Sequence, residues 1–260
     1  MNTSVAISPD STRIAYDRSG AGPAVMLLHG GGGNRQEWRE ADYVSRLQQH
    51  FTVIAMDLRG HGESDLPEDT ADYAIDKLCQ DILAVADVCG VERFSLWGMS
   101  YGGKVGRYLA VQSERVASCI LIGTPLGPGV AGQPRQDALD FFAHWSPIVR
   151  AFRAGTLDLA SLSANDQALF QRLNVPAMLG WVRAMLDWPA VIPADFRCPT
   201  LWVIGSEDRH AMDSLKAYEE SLRASRMRVH IVEGLDHEQT FDEIDRVFPV
   251  MLAFIQAQRA

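Results

Sequence analysis

Short apolar runs recur along this chain, and most of them are continuous rather than alternating in polarity: residues 24–29, 52–57, 94–98, 118–123, 200–205 and 228–233. A strand with one wet face alternates, so continuous runs of this length belong to strands covered on both faces. Longer segments with helical spacing lie between them. Residues 73–89 carry Ile75, Leu78, Ile82, Val85 and Ala86 near a 3.6 period, and Gly90 supplies the stop. A short helix is expected over residues 103–111, and a terminal one over 241–258 that Pro249 kinks or splits. Residues 5–17 read as an edge hairpin. Strands alternating with helices specify an α/β fold with a mostly parallel sheet covered on both sides.

One region breaks the rhythm. Residues 126–195 show helical spacing, no strand, and many aromatics, including Phe141, Phe142, Trp145, Phe152, Phe170, Trp181 and Trp188. About 70 residues between consecutive strands far exceed a connecting loop. The expected organisation is a core of residues 1–125 and 196–260, interrupted by a helical cap over 126–195.

Charge narrows the partners. Lys plus Arg total 24 against 33 Asp plus Glu, a net charge of −9 with a pI near 5.2. Such a surface repels phosphate backbones and anionic lipid, so neither nucleic acid nor membrane is an expected partner. The first residues lack a basic n-region and an apolar h-region, and no apolar stretch approaches the roughly 20 residues of a membrane span. Cys79, Cys89, Cys119 and Cys198 are widely spaced, form no C-x-x-C pair and have no His at metal spacing. Free thiols, no metal, no cofactor and a cytoplasmic location are the expectations.

Gly98-Met99-Ser100-Tyr101-Gly102 fits G-x-S-x-G, with an apolar strand before it and a helix after it. The context matters because a nucleophile lifted onto a tight strand-to-helix turn needs small neighbours. A nucleotide-binding turn would require a phosphate-binding Lys or a third spaced glycine, and neither is present. His29-Gly30-Gly31-Gly32-Gly33 follows the first strong strand, where a glycine run lets backbone N–H groups approach a substrate. The N–H groups of Gly31 and Tyr101 are the expected oxyanion donors, with Gly30 and Gly32 beside the substrate. Gly31 and Gly33 begin a G-x-G-x-x-G pattern, but position 36 is Gln.

A serine nucleophile needs a base and an acid that orients it. His237, after the last strand run, is the expected base; His29 is read as ordering the glycine loop and His61 as part of a tight turn. Asp208 is the expected acid. Glu207 and Asp236 are its rivals, the first pointing elsewhere in a turn and the second too close to His237 to reach its Nδ1. In the inserted region, Trp145, Trp181, Trp188 and His144 are candidate substrate contacts, although large aromatics at helical spacing also serve plain packing.

Together His29-Gly30-Gly31, Asp57-Leu58-Arg59-Gly60-His61-Gly62, Gly98-Met99-Ser100-Tyr101-Gly102-Gly103, Gly205-x-x-Asp208 and Asp236-His237 resemble the α/β-hydrolase superfamily. The resemblance covers residues 5–125 and 196–258. It implies an eight-stranded, mostly parallel sheet with a variable cap. With Ser at position 100, it also implies exclusion of the epoxide hydrolases and haloalkane dehalogenases, whose nucleophile is Asp. The expected activity is hydrolysis of small to medium, largely apolar carboxylic esters through an acyl-enzyme. Enol-lactone hydrolysis, carbon–carbon bond hydrolysis and perhydrolysis share the scaffold. The carbon–carbon hydrolases typically continue His-Gly-Gly with a proline-containing loop, whereas this chain continues Gly32-Gly33-Asn34-Arg35. A ligand receptor on the same scaffold is the reading from another class.

Overall fold

The apolar runs pair as strands of one sheet in the computed structural model, which describes residues 3–258. In chain order these are β1 (Ser4–Ile7), β2 (Arg13–Ser19), β3 (Ala24–Leu28), β4 (Thr52–Met56), β5 (Phe94–Met99), β6 (Val116–Ile122), β7 (Thr200–Gly205) and β8 (Arg228–Val232). Their spatial order is β1-β2-β4-β3-β5-β6-β7-β8. β1 and β2 form the expected edge hairpin, β2 is antiparallel to β4, and every other neighbouring pair is parallel.

Helices occupy both faces. After β3 come α1 (Glu37–Glu40) and α2 (Tyr43–Leu47), after β4 α3 (Ile75–Val88), and after β5 α4 (Ser100–Gln112). Between β6 and β7 the chain forms α5 (Gly132–Arg153), α6 (Ala164–Arg172) and α7 (Val175–Met185). α8 (Arg209–Ala217) and α9 (Glu219–Arg223) follow β7, and α10 (Gln239–Asp242) and α11 (Ile244–Ala257) follow β8. Successive strand residues feed opposite cores, as the period of two requires. Met26, Leu28, Leu96, Leu121 and Trp202 pack with α3 and α4, while Val25, Leu27, Trp97, Ile120 and Val203 pack with α2 and α11. This explains why the runs of β3 to β7 read as continuously apolar: neither face is wet. The edge strand β8, expected to be covered on both faces, instead leaves Arg228 and Ile231 exposed.

Two helix boundaries differ from the sequence expectation. α4 begins at Ser100 rather than at residue 103. The terminal segment breaks at Glu243, between α10 and α11, and α11 continues past Pro249. Pro249 is exposed, so the carbonyl deprived of its N–H partner is on the solvent side, where an interior proline is least disruptive.

The segment between β6 and β7 has its own apolar cluster of Trp145, Val149, Val175 and Leu179. Its two ends are clasped by Gly127 and Val191, which exchange hydrogen bonds of 2.7 and 2.9 Å. The Asp57-Leu58-Arg59-Gly60-His61-Gly62 turn is organised by charge. The Asp57 carboxylate accepts the Arg35 and Glu63 N–H groups at 2.7 and 2.8 Å and pairs with the Arg35 guanidinium. Buried Arg59 donates to Asp81 and Asp10. No helix among the described residues is long and apolar enough to cross a membrane.

Candidate active site

β5 ends at Met99, and α4 begins with Ser100 at φ +47°. Few non-glycine residues occupy this left-handed region, and the strain is offset by the packing around it. Gly98 and Gly102 make the turn possible by close approach. A Cβ on Gly98 would sit 2.5 Å from the backbone of Gly103, and one on Gly102 would sit 2.3 Å from the carbonyl oxygen of Leu28. Both obstacles are backbone and cannot rotate away. Gly102→Ala is therefore expected to lose about 3 kcal/mol of stability or to fail to fold, checked by urea unfolding.

The parallel order carries the carboxyl ends of β5, β7 and β8 to one edge of the sheet, where loops of such folds gather ligands. There His237 Nε2 lies 3.0 Å from Ser100 Oγ, and His237 Nδ1 lies 2.7 Å from Asp208 Oδ2. The carboxylate can only accept, so Nδ1 carries the proton and Nε2 presents its lone pair to the serine hydroxyl. Asp208 is buried, while the His237 side chain is 40% exposed and open to a ligand. Asp208 also caps α8, its Oδ1 accepting the Ala211 N–H at 3.1 Å. The rival acids stand elsewhere: Glu207 is exposed, and the Asp236 carboxylate accepts the Gln239 N–H at 2.9 Å.

Ser100 and His237 open into a pocket of about 570 Å³, with Gly30, Gly31, Met99 and Phe241 also on its wall. Gly31 stands against Tyr101, whose Cβ would lie 3.4 Å from an added Gly31 Cβ. The Gly102 N–H donates to His29 O at 3.0 Å, whereas the Tyr101 N–H, in the first turn of α4, has no intrahelical partner. His29 orders the loop as anticipated. Its Nδ1 donates to Gly30 O at 2.7 Å and its Nε2 accepts the Leu58 N–H at 3.0 Å, a pairing that fixes one neutral tautomer. Burial pushes it down to about 4.

The remaining candidates are dispersed. Gly32 and Trp181 line a separate cavity with His61, although the Trp181 ring also reaches to 3.4 Å from the Gly31 Cβ position. Trp188 is buried beside Tyr101 and Tyr108, its indole N–H donating to Tyr73 O at 3.2 Å. Trp145 lies in the cluster between α5 and α7. His144 is exposed, with Nε2 at 3.1 Å from Asp166. None of Gly32, Trp145, Trp181, Trp188 and His144 is on the wall of the Ser100 pocket.

Sequence reasoning missed the acidic part of that wall, which consists of Glu37 and Glu40 from α1 with Glu238 and Asp242 beside His237. Burial raises the Glu37 carboxyl above its usual range; burial, with Glu238 and Asp236 nearby, does the same for Asp242. Glu238, Phe241 and Asp242 stand at helical spacing directly after His237, a signal that was available.

Known proteins resemble this chain in sequence and fold to different extents. A family model for the alpha/beta hydrolase fold matches residues 23–241. An uncharacterized protein of Mycobacterium tuberculosis is 36% identical over 110 residues, 42% of this chain and 31% of the relative, so the match spans about a third of that relative's length. A Synechocystis sp. protein named as a non-heme chloroperoxidase is 28% identical over 94% of this chain and 95% of its own. The malate-bound structure of a thermophilic esterase from Thermogutta terrifontis superposes with a TM-score of 0.77 at 20% identity, covering 100% of both chains. With the strand order and family match in agreement, the chain belongs to the alpha/beta hydrolase fold family.

Proposed function

We propose that this chain is a serine hydrolase of small, neutral or cationic carboxylic esters. The observation that carries the reading is the continuous hydrogen-bonded line from Ser100 Oγ through His237 to buried Asp208. In this reaction Ser100 Oγ attacks the ester carbonyl as His237 Nε2 takes its proton. Asp208 holds the ring and stabilises the imidazolium. The N–H groups of Gly31 and Tyr101 bind the oxyanion of the tetrahedral intermediate. His237 returns its proton to the leaving alcohol, then activates water to release the acid. Gly30, Met99 and Phe241 supply the surface against which the ester lies, and Trp181 supports Gly31 from behind.

The four carboxylates on the pocket wall set the charge preference. An anionic ester would enter against like charge in a partly desolvated cavity, where repulsion exceeds that in bulk water. The esterase neighbour supports the ester reading at the level of fold. The chain-wide likeness to the protein named as a non-heme chloroperoxidase favours a second reading, in which peroxide replaces water at the acyl-enzyme.

Treatment with a fluorophosphonate, followed by mass spectrometry, tests the proposal. A single adduct on Ser100, absent from Ser100→Ala, is the expected result, together with faster turnover of neutral than of carboxylate-bearing p-nitrophenyl esters. A folded protein that neither labels nor turns over favours the ligand-receptor reading.

A further inference from the structure

α4 carries two cations that the site described above does not use. Arg107 is fully buried and pairs with no carboxylate among the described residues; its guanidinium donates to Pro125 O at 2.6 Å and Pro128 O at 2.9 Å. One turn earlier, half-buried Lys104 has no hydrogen bond or ion pair among the described residues. Its side chain is on the wall of a cavity of about 480 Å³ enclosed by α4, residues 125–134 and α8. Leu126, Val130 and Pro134 make much of that wall apolar, and the cavity shares no lining residue with the Ser100 pocket. Exposed Arg209 and His210 stand on the α8 side, and the Asp213 carboxylate there lies 3.9 Å from Lys216.

We propose that this cavity is a binding site for a small carboxylate with an apolar chain, with Lys104 as its counter-ion. The half-buried ammonium lacks an anion, and charges out of water are held by pairing. Burial, with Arg107 further along the helix, pushes the Lys104 amine down to about 7, so the protein alone under-stabilises its charged form. An anion in the cavity restores that form. The ligand is a monocarboxylate because the Arg107 fork is occupied by the two proline carbonyls, while Arg209 and His210 are solvated at the α8 rim beside the Asp213 carboxylate. Lys104 is then the one half-buried cation on the wall, not part of a multidentate cradle of the kind phosphate prefers. The apolar walls receive the chain, and the volume is within the range of small-molecule pockets.

Lys77, Lys104 and Lys216 are the only lysines in the sequence, which allows a direct test. After reductive ¹³C-methylation, titration with hexanoate should move the Lys104 methyl signal and leave those of Lys77 and Lys216 in place. Hexanol and inorganic phosphate should leave all three unmoved. By calorimetry, Lys104→Met should weaken hexanoate binding by about tenfold or more. Lys104→Gln provides the same comparison if the methionine variant does not fold. The proposal is overturned if hexanoate leaves the Lys104 signal unmoved, if the variant binds hexanoate as the parent does, or if phosphate binds as well as hexanoate. These readouts report binding, not turnover, so they stand apart from the proposed hydrolysis.

Discussion

Asp208→Asn is expected to lower kcat on a simple ester by about 10⁴-fold while leaving the melting temperature nearly unchanged. The two effects separate because Asp208 performs two tasks with two oxygens. Oδ1 accepts the Ala211 N–H at the start of α8, and Oδ2 accepts from His237 Nδ1. Asn caps a helix as well as Asp does, so its carbonyl keeps the first contact. The amide NH₂ then faces His237 and can only donate. The imidazole adopts the tautomer with its proton on Nε2, and the lone pair that receives the Ser100 proton is lost. A 10⁴-fold loss corresponds to about 5.4 kcal/mol of transition-state stabilisation. Asp208→Ala removes the cap too, at a further cost of about 1 kcal/mol in stability. Steady-state kinetics and thermal unfolding on the same preparation check both halves. A near-parental kcat in Asp208→Asn would remove Asp208 from the mechanism.

Mild acid is expected to destabilise the fold steeply, through two histidines that do no chemistry. Burial pushes His29 down to about 4; burial, with His29 beside it, pushes His61 down to about 3. Their rings lie 5.0 Å apart under the glycine loop. In the unfolded chain each takes up a proton near pH 6.5. Below that value the unfolded state binds more protons than the folded one, so stability falls as pH falls. Their contribution is intact above pH 6.5 and is lost progressively toward pH 4, by up to about 1.4 kcal/mol per pH unit for each ring. Glu37, Asp81 and Asp242, whose carboxyls are raised by burial, act in the opposite sense. The histidine part is therefore isolated with His61→Phe, which should remove about half of the slope. Urea unfolding at several pH values between 7.5 and 5 measures it, and an equal slope in both proteins would refute the assignment.

The distribution of legible and illegible features follows from the range of the forces involved. The continuous apolar runs of β3 to β7 could only be strands covered twice, and that alone required helices on both faces of a mostly parallel sheet. Gly98 and Gly102 were readable because the close backbone approach beside Ser100 excludes a Cβ. Asp208 and His237 stand after β7 and β8, positions that parallel topology must bring to the edge where β5 ends. Helical spacing around Trp145, Trp181 and Trp188 left both substrate contact and plain packing open. It could not say what they meet, and the fold directs them to the α5–α7 cluster, the back of Gly31 and the Tyr101–Tyr108 layer respectively. The carboxylates around Ser100 come from α1 and α10, segments about 200 residues apart, and only the packing of both against the same sheet edge makes them one wall. Nothing local sets Lys104 apart from other helix positions, and it is the approach of residues 125–134 and α8 that half-buries it. Backbone sterics and periodicity act within a few residues and are written locally. Charge environment and burial depend on which distant surfaces meet, and that is decided when the sheet and its covering layers pack.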